Sequence, residues 1–423
     1  MKKRNLAILI LLIFCFLIGC QSVPEKSSLN VAVVTDLHYA GAENHKYQGT
    51  YLEINDANGS GKQMRYLDDI TDAFFEEMNE QKPDYLLVAG DITFIGAKES
   101  HEAIAKKFST LAENGITVLV IPGNHDITGS SFLFPEGEAV ETSSVTPEEF
   151  AEIYRPFGYE GGLSYDENSL SYVYDTGKGI RFFMLDTNMS YGSSYGKISP
   201  QTLRWIESQL LLCQEAGDTP VAVGHHNLLT HNEMFILGYR IGNSSALVSL
   251  FEKYGVTLYL SGHMHAQHIA QNEVVTDIAG GSFAVYPHHY GIITLDKDKW
   301  NYEAKETNVE TYAKNHTLTD ENLLNYSDYG FDFFYRNAYN QAKESLSHTV
   351  SDSELLDKLC DFSAKANVYY FGGTPSLLEC SLQEDFIHLS EGTRWGSYVS
   401  RILQDQTDSL SCSYPVLTES AVD

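Results

Sequence analysis

The chain has 423 residues and a formal net charge of −29, enough length for a large catalytic domain and a smaller second one. A surface this acidic repels polyanions, which excludes long nucleic acids and makes anionic membrane surfaces poor partners. Small phosphate esters stay open, because bound dications invert the local field.

The first residues read as an address. Met1-Lys2-Lys3-Arg4 is basic, and Leu6 to Ile18 is an unbroken apolar stretch of 13 residues. That is short of the roughly 20 that a membrane span needs and right for the apolar core of a signal peptide. Leu17-Ile18-Gly19-Cys20 resembles the bacterial lipoprotein cleavage box. This implies removal of residues 1–19, lipidation of Cys20, a tether over 20–28, and an exported chain anchored at the cell membrane and facing outward.

Five apolar, largely β-branched runs follow, each read as a buried strand that ends in a polar cluster. Val31–Val34 leads to Asp36-Leu37-His38, and Tyr85–Val88 to Gly90-Asp91. Val118–Ile121 leads to Gly123-Asn124-His125-Asp126, Val221–Val223 to Gly224-His225-His226, and Thr257–Leu260 to Gly262-His263-Met264-His265. Open α/β sheets gather their ligands at strand ends. Between the strands, Leu67, Ile70, Phe74 and Met78 share a helical face, as do Leu203, Ile206 and Leu210, so the pattern is built of βαβ units. The helix holding the latter, Ser199 to Ala216, should bury Cys213 as a free thiol; Cys360, Cys380 and Cys412 leave one disulfide open.

From Thr257 to Glu306 the pattern turns to short β runs, a meander closing a layered α/β sandwich over 29–307. Loops at 40–63, 128–146 and 228–243 follow ligand clusters and should rim one mouth. His45, His231, His268, His288 and His289 lie in rim or meander segments and read as surface. After Thr307, Phe331, Phe334, Ala338, Ala342 and Leu346 recur at helical spacing, then Leu355, Leu359, Phe362, Ala366 and Tyr369, with a third candidate at Phe386 to Gln404. These predict a small helical domain over 308–423 with a loose polar tail after Ser409.

Carboxylates, imidazoles and an amide oxygen suit Mn, Fe or Zn rather than a thiolate-bound metal. A shared carboxylate allows two ions about 3.5–4 Å apart, with a water between them deprotonated near neutral pH. The series D-x-H, G-D, G-N-H-D, G-H-H and G-H-x-H, in this order over roughly 29–306, resembles the calcineurin-like metallophosphoesterase superfamily. The resemblance implies a four-layer α/β/β/α sandwich and two divalent or trivalent ions. Asp36, His38 and His265 would hold one; Asn124, His225 and His263 the other; Asp91 would bridge them. It implies hydrolysis of a small phosphate ester by a metal-bound hydroxide. His125 would contact phosphate and protonate the leaving group, Asp126 would orient His125, and Asn124 would touch substrate. His226, beside His225, reads either as a substrate contact or as a residue that supports the ligands.

One position departs from the purple acid phosphatase branch. The tyrosine that ligates ferric iron there, three residues beyond the bridging aspartate, is Phe94 here, which leaves the metal open. A catalytic domain followed by a helical bundle resembles the bacterial cyclic-nucleotide phosphodiesterases, which implies cyclic nucleotides as substrates. The alternatives are a phosphomonoesterase, a phospholipid- or sphingomyelin-type phosphodiesterase, and a non-catalytic surface lipoprotein.

Overall fold

The computed structural model describes residues 28–41, 43–57 and 60–415. The expected signal peptide, Cys20 and the tether up to residue 27 lie outside the described residues. No helix among the described residues is long and apolar enough to cross a membrane.

Side-chain alternation decides the layers. β1 (Leu29–Val34), β2 (Tyr85–Ala89) and β3 (Thr117–Ile121) are parallel neighbours. Successive side chains of a strand point to opposite faces, so each strand feeds two cores. Ala32, Val34, Leu86, Val88, Val118 and Val120 pack with Ile70, Phe74 and Met78 of α1 (Leu67–Gln81) and with Ile104, Phe108 and Leu111 of α2 (Lys98–Glu113). Val31, Val33, Leu87, Leu119 and Ile121 face a second sheet. There they meet Phe182 and Met184 of β4 (Ile180–Leu185), Val221 and Val223 of β5 (Thr219–Gly224), and Leu258 and Leu260 of β6 (Leu258–Ser261). The outer face of that sheet, through Phe183, Leu185, Ala222 and Tyr259, covers Ile206 and Leu210 of α3 (Pro200–Ala216) and Leu247 and Phe251 of α4 (Ser244–Tyr254). The order is helix, sheet, sheet, helix, the expected four-layer α/β/β/α sandwich.

The meander adds β7 (His268–Gln271) and β8 (Thr276–Ala279) to the second sheet and β9 (His289–Leu295) and β10 (Trp300–Glu306) to the first. The helical region follows, with α5 (Tyr326–Leu346) and α6 (Ser353–Phe371) as its long pair. The third expected helix is broken into Gln383–Leu389 and Arg394–Ile402, with Gly392 at φ +79° in the turn between them. The core of the helical region takes in Met264, Ala266 and Ala279 from the sandwich, so the bundle packs directly behind the Gly262–His265 cluster.

Two expectations are corrected. The described part of the tail after Ser409 is not loose: β11 (Ser411–Tyr414) pairs antiparallel with β10, Tyr302 opposite Cys412, and completes a six-stranded first sheet in the order β11–β10–β9–β1–β2–β3, while residues 416–423 lie outside the described residues. An edge strand needs backbone pairing more than apolar side chains, so Ser411-Cys412-Ser413 carried no signal. His231, His268, His288 and His289 are buried, not surface. His288, for one, donates from Nδ1 to the Phe283 carbonyl (2.8 Å) while its Nε2 meets the Tyr326 hydroxyl (2.9 Å). Cys213 is a buried free thiol, and Cys360, Cys380 and Cys412 are also free.

Candidate active site

All five polar clusters stand at the carboxyl ends of parallel strands: β1, β2 and β3 in one sheet, β5 and β6 in the other. The strand ends are strained to bring them together. Asp36, His38, Asp91, His263 and His265 all have φ between +46° and +67°, a region that costs a non-glycine residue about 1–3 kcal/mol and persists only where the surroundings impose it. Here the backbone imposes it, with Asp36 N–H donating to the Gly90 carbonyl (3.0 Å) and His38 N–H to the Asp91 carbonyl (2.9 Å). Gly123 allows a close approach: any Cβ there would overlap the Asp91 amide and carboxylate.

Two groups of donor atoms result, sharing Asp91. In the first, His38 Nε2 and His265 Nε2 are 3.2 Å apart, and Asp36 Oδ1 lies 3.3 Å from His265 Nε2 and 3.8 Å from His38 Nε2. Asp36 Oδ1 is buried with no hydrogen-bond partner, while Oδ2 accepts from Thr35 Oγ1 (2.7 Å) and the His263 amide (2.9 Å). In the second, His225 Nε2 lies 3.2 Å from His263 Nδ1, 3.2 Å from Asn124 Oδ1 and 3.3 Å from Asp91 Oδ2. Asp91 Oδ2 also stands 3.9 Å from His38 Nε2, between the groups, while Oδ1 accepts the His125 amide (2.8 Å).

The chemistry of this donor set fits metal ions. His225 Nδ1 must donate to the Ala89 carbonyl (2.9 Å) and His263 Nε2 to the Gly238 carbonyl (2.7 Å), because a carbonyl oxygen only accepts. Their inward nitrogens are then lone pairs facing one another and a carboxylate. A proton relieves one such contact; a cation relieves all of them. Burial opposes charge on His225, yet Asp91 and Asp36 overcome it and push that imidazole up to about 9. Burial opposes charge on Asp91 too, but the surrounding imidazoles hold it well below the usual carboxylate range. The site is thus built to hold positive charge.

The three remaining predicted residues divide. His125 is half-buried beside His38, ring centroids 4.9 Å apart, with Nδ1 donating to the Phe94 carbonyl (2.8 Å), which leaves Nε2 free. Asp126 does not orient it. Its carboxylate accepts the amides of Ile92 (3.1 Å), Thr93 (2.8 Å) and Gly123 (2.8 Å) and so ties the β2 loop to the β3 loop; burial, then Asp91, raise it to about 7. Of the two readings of His226, substrate contact is corrected in favour of support. His226 is fully buried, tilted on His263 at 4.4 Å between ring centroids and held through Nδ1 at Thr187 Oγ1 (2.8 Å), so it supports a ligand rather than facing substrate. The carbonyls of Ala89, Phe94 and Gly238 that set the histidine tautomers leave no mark in a sequence, since any residue supplies one. Lys62 is the other omission: its charge is one of the influences, after burial, that hold His38 and His125 neutral.

A fold and a site of this kind define a metal-dependent phosphoester hydrolase, and the chain belongs to the calcineurin-like phosphoesterases, whose family model matches residues 29–267. Residues 308–409 match the C-terminal domain of cyclic nucleotide phosphodiesterase. A 3′,5′-cyclic-nucleotide phosphodiesterase of Nostoc sp. is 24% identical over 59% of this chain and 77% of its own. A probable glycerophosphodiester phosphodiesterase of Arcobacter nitrofigilis is 28% identical over 51% of this chain and 68% of its own. A dimetal phosphatase of Danio rerio is 14% identical, covers 66% of this chain and 96% of that one, and has a TM-score of 0.45.

Proposed function

We propose that the chain is a phosphodiesterase that hydrolyses 3′,5′-cyclic nucleotides at a centre where Asp91 would be shared between two metal ions. The observation that carries this reading is the pair of donor groups meeting at one carboxylate oxygen, with His125 Nε2 free beside them. The match of the helical region to a cyclic-nucleotide phosphodiesterase domain supports this choice among diesters.

Asp36, His38 and His265 would hold one ion, and Asn124, His225 and His263 the other. Bound there, such ions draw charge from phosphoryl oxygens and supply a strong nucleophile near neutral pH. The chain does the rest. Phe94 and the His125 amide contact fix the His125 ring; its Nε2, a lone pair in the neutral imidazole, takes up a proton from solvent once the anionic ester lies beside it and passes that proton to the departing ester oxygen. Buried Asp126 holds the two loops that carry Asp91 and His125 at constant spacing.

Exposed Met189, Tyr191 and Tyr195 on one loop and Met234, Ile236 and Leu237 on another supply surface for the rest of the substrate. The loops meet where Gly238 lies against Ser194, and Gly196 packs on His226. Aromatic faces suit a base. The aliphatic ones favour, as a second reading, a glycerophosphodiester or phospholipid-type diester.

The test is hydrolysis of 3′,5′- and 2′,3′-cyclic nucleotides, a glycerophosphodiester, sphingomyelin and a phosphomonoester, with Mn, Fe and Zn in turn. We expect kcat/KM for a 3′,5′-cyclic nucleotide to exceed that for the monoester at least about tenfold. A monoester or lipid diester in first place overturns the substrate class, and no turnover with any metal leaves a binding lipoprotein. The address belongs to the same proposal: lipidated Cys20 anchors the chain facing outward. Mass spectrometry of the mature N-terminus should find a diacylated cysteine, and an unlipidated residue in its place refutes the anchor.

A further inference from the structure

The stretch over 40–63, expected as a loop, contains the helix Gly49–Ala57, and the described residues 60–63 that come before α1 are gripped from two sides. Lys62 forms an isolated antiparallel bridge with Val285, and Gln63 N–H donates to the Ala284 carbonyl (2.7 Å). That partner segment is tied to the end of β1: Phe283 N–H donates to the Thr35 carbonyl (3.1 Å) and Ala284 N–H to the Asp36 carbonyl (3.2 Å). On the opposite side stands α5. Gly61, at φ +73°, lies so close to the Phe334 ring that a Cβ would overlap it, and Gln63 Nε2 reaches the Gly330 carbonyl at 3.5 Å. Phe334 and Val285 in turn share a small core with Val368 of α6. The Lys62 backbone is therefore fixed relative to Asp36 by the sheet and by the helical region together.

Its side chain reaches over the Phe94 ring, with Nζ 6.0 Å from the centroid, and the Phe94 carbonyl is the group that anchors His125. Burial works against the charge and lowers the ammonium from its ordinary value, while Asp91 and then Asp36 attract it. Yet among the described residues no carboxylate lies within the 4.0 Å of an ion pair with Nζ, and no hydrogen bond holds it. In a chain with 57 acidic and 28 basic residues, a half-buried ammonium left unpaired beside the site is an exception. Enclosed charges are otherwise paired.

We propose that Lys62 is the anion contact of this site: its ammonium pairs with a non-bridging phosphoryl oxygen of the bound ester, and α5 holds it in place to do so. The proposal rests on the phosphodiesterase reading for the identity of the ester, and on the geometry above for the contact itself. A compact ammonium with three donors suits a phosphoryl oxygen as a point charge.

The experiment uses the whole metal-loaded chain and two readouts, kcat/KM for bis(p-nitrophenyl) phosphate and the affinity for inorganic phosphate by calorimetry. Lys62→Met should keep the wild-type metal content and melting temperature, lose about 10- to 100-fold in kcat/KM, and bind phosphate at least about tenfold more weakly, as expected for one charge-assisted hydrogen bond. Lys62→Arg should recover part of both. Wild-type values of both readouts in Lys62→Met overturn the proposal, and so does loss of metal or melting temperature in Lys62→Met that Lys62→Arg fully restores without a change in phosphate affinity. Phosphate affinity does not depend on turnover. A wild-type chain that binds phosphate through Lys62 but cleaves no diester therefore supports the contact and refutes the phosphodiesterase reading.

Discussion

Asp91→Asn should remove at least one metal ion and lower turnover by about 10³-fold or more, the equivalent of several kcal/mol of charge stabilisation at the reacting group. The reason is geometric. Asp91 Oδ1 is already engaged by the His125 amide, so Oδ2 alone serves both donor groups, 3.3 Å from His225 Nε2 and 3.9 Å from His38 Nε2. An asparagine that keeps the His125 contact must put its NH2 where Oδ2 stands, a donor in the place of a bridging acceptor. The backbone should not object, because Asp91 sits at φ +49° and asparagine tolerates that region. Metal analysis, turnover and a melting curve separate the possibilities. Two ions retained at near-wild-type rate would take Asp91 out of the bridge, and a collapsed melting temperature would make its role structural.

His125→Ala should leave the metals in place and slow the reaction in proportion to how badly the leaving group needs a proton. The imidazole is no member of either donor group, and the contact it shares with Asp91 runs through the backbone amide, which alanine keeps. General acid catalysis contributes about 10²–10⁴-fold. A nitrophenolate departs as a stable anion and needs little of it, whereas a ribose alkoxide needs most. The loss for a cyclic nucleotide should therefore exceed the loss for bis(p-nitrophenyl) phosphate by at least about tenfold. Equal losses on the two esters would reassign His125 to phosphate binding.

The ligands were legible because each is tied to a signal that sequence carries well, an apolar run that stops at a polar cluster. Asp36, Asp91, Asn124, His225 and His263 needed only the strand before them. Where that coupling fails, so does the reading. Ile180–Leu185 is a fully buried strand inside the second sheet, but five apolar residues around Arg181 with no ligand at their end give a run too short to tell strand from helix. His226 adjoins His225 in sequence, yet neighbours leaving a strand point in different directions, and only packing on His263 reveals which one faces the metals. Asp126 invited pairing with His125 because they are adjacent; three backbone amides proved the better partners for a buried carboxylate. Lys62, alone on a loop, has no periodicity to betray it. Its meaning comes from Val285 and Phe334, far along the chain.

The strand β11 changes how the chain must be assembled in time. It pairs with β10 only after the entire helical region has been made, since Tyr302 waits for Cys412. Until then the outer edge of β10 carries unpaired amides and carbonyls, a template for association with other chains. Closing so long a loop is slow, although its entropic cost grows only with the logarithm of its length. Packing of Trp300 on Tyr414, ring centroids 6.1 Å apart, then seals the edge. The helical region is thus enclosed by one sheet, entered from β10 and left through β11, and residues made only after that whole region are the ones that complete the first sheet.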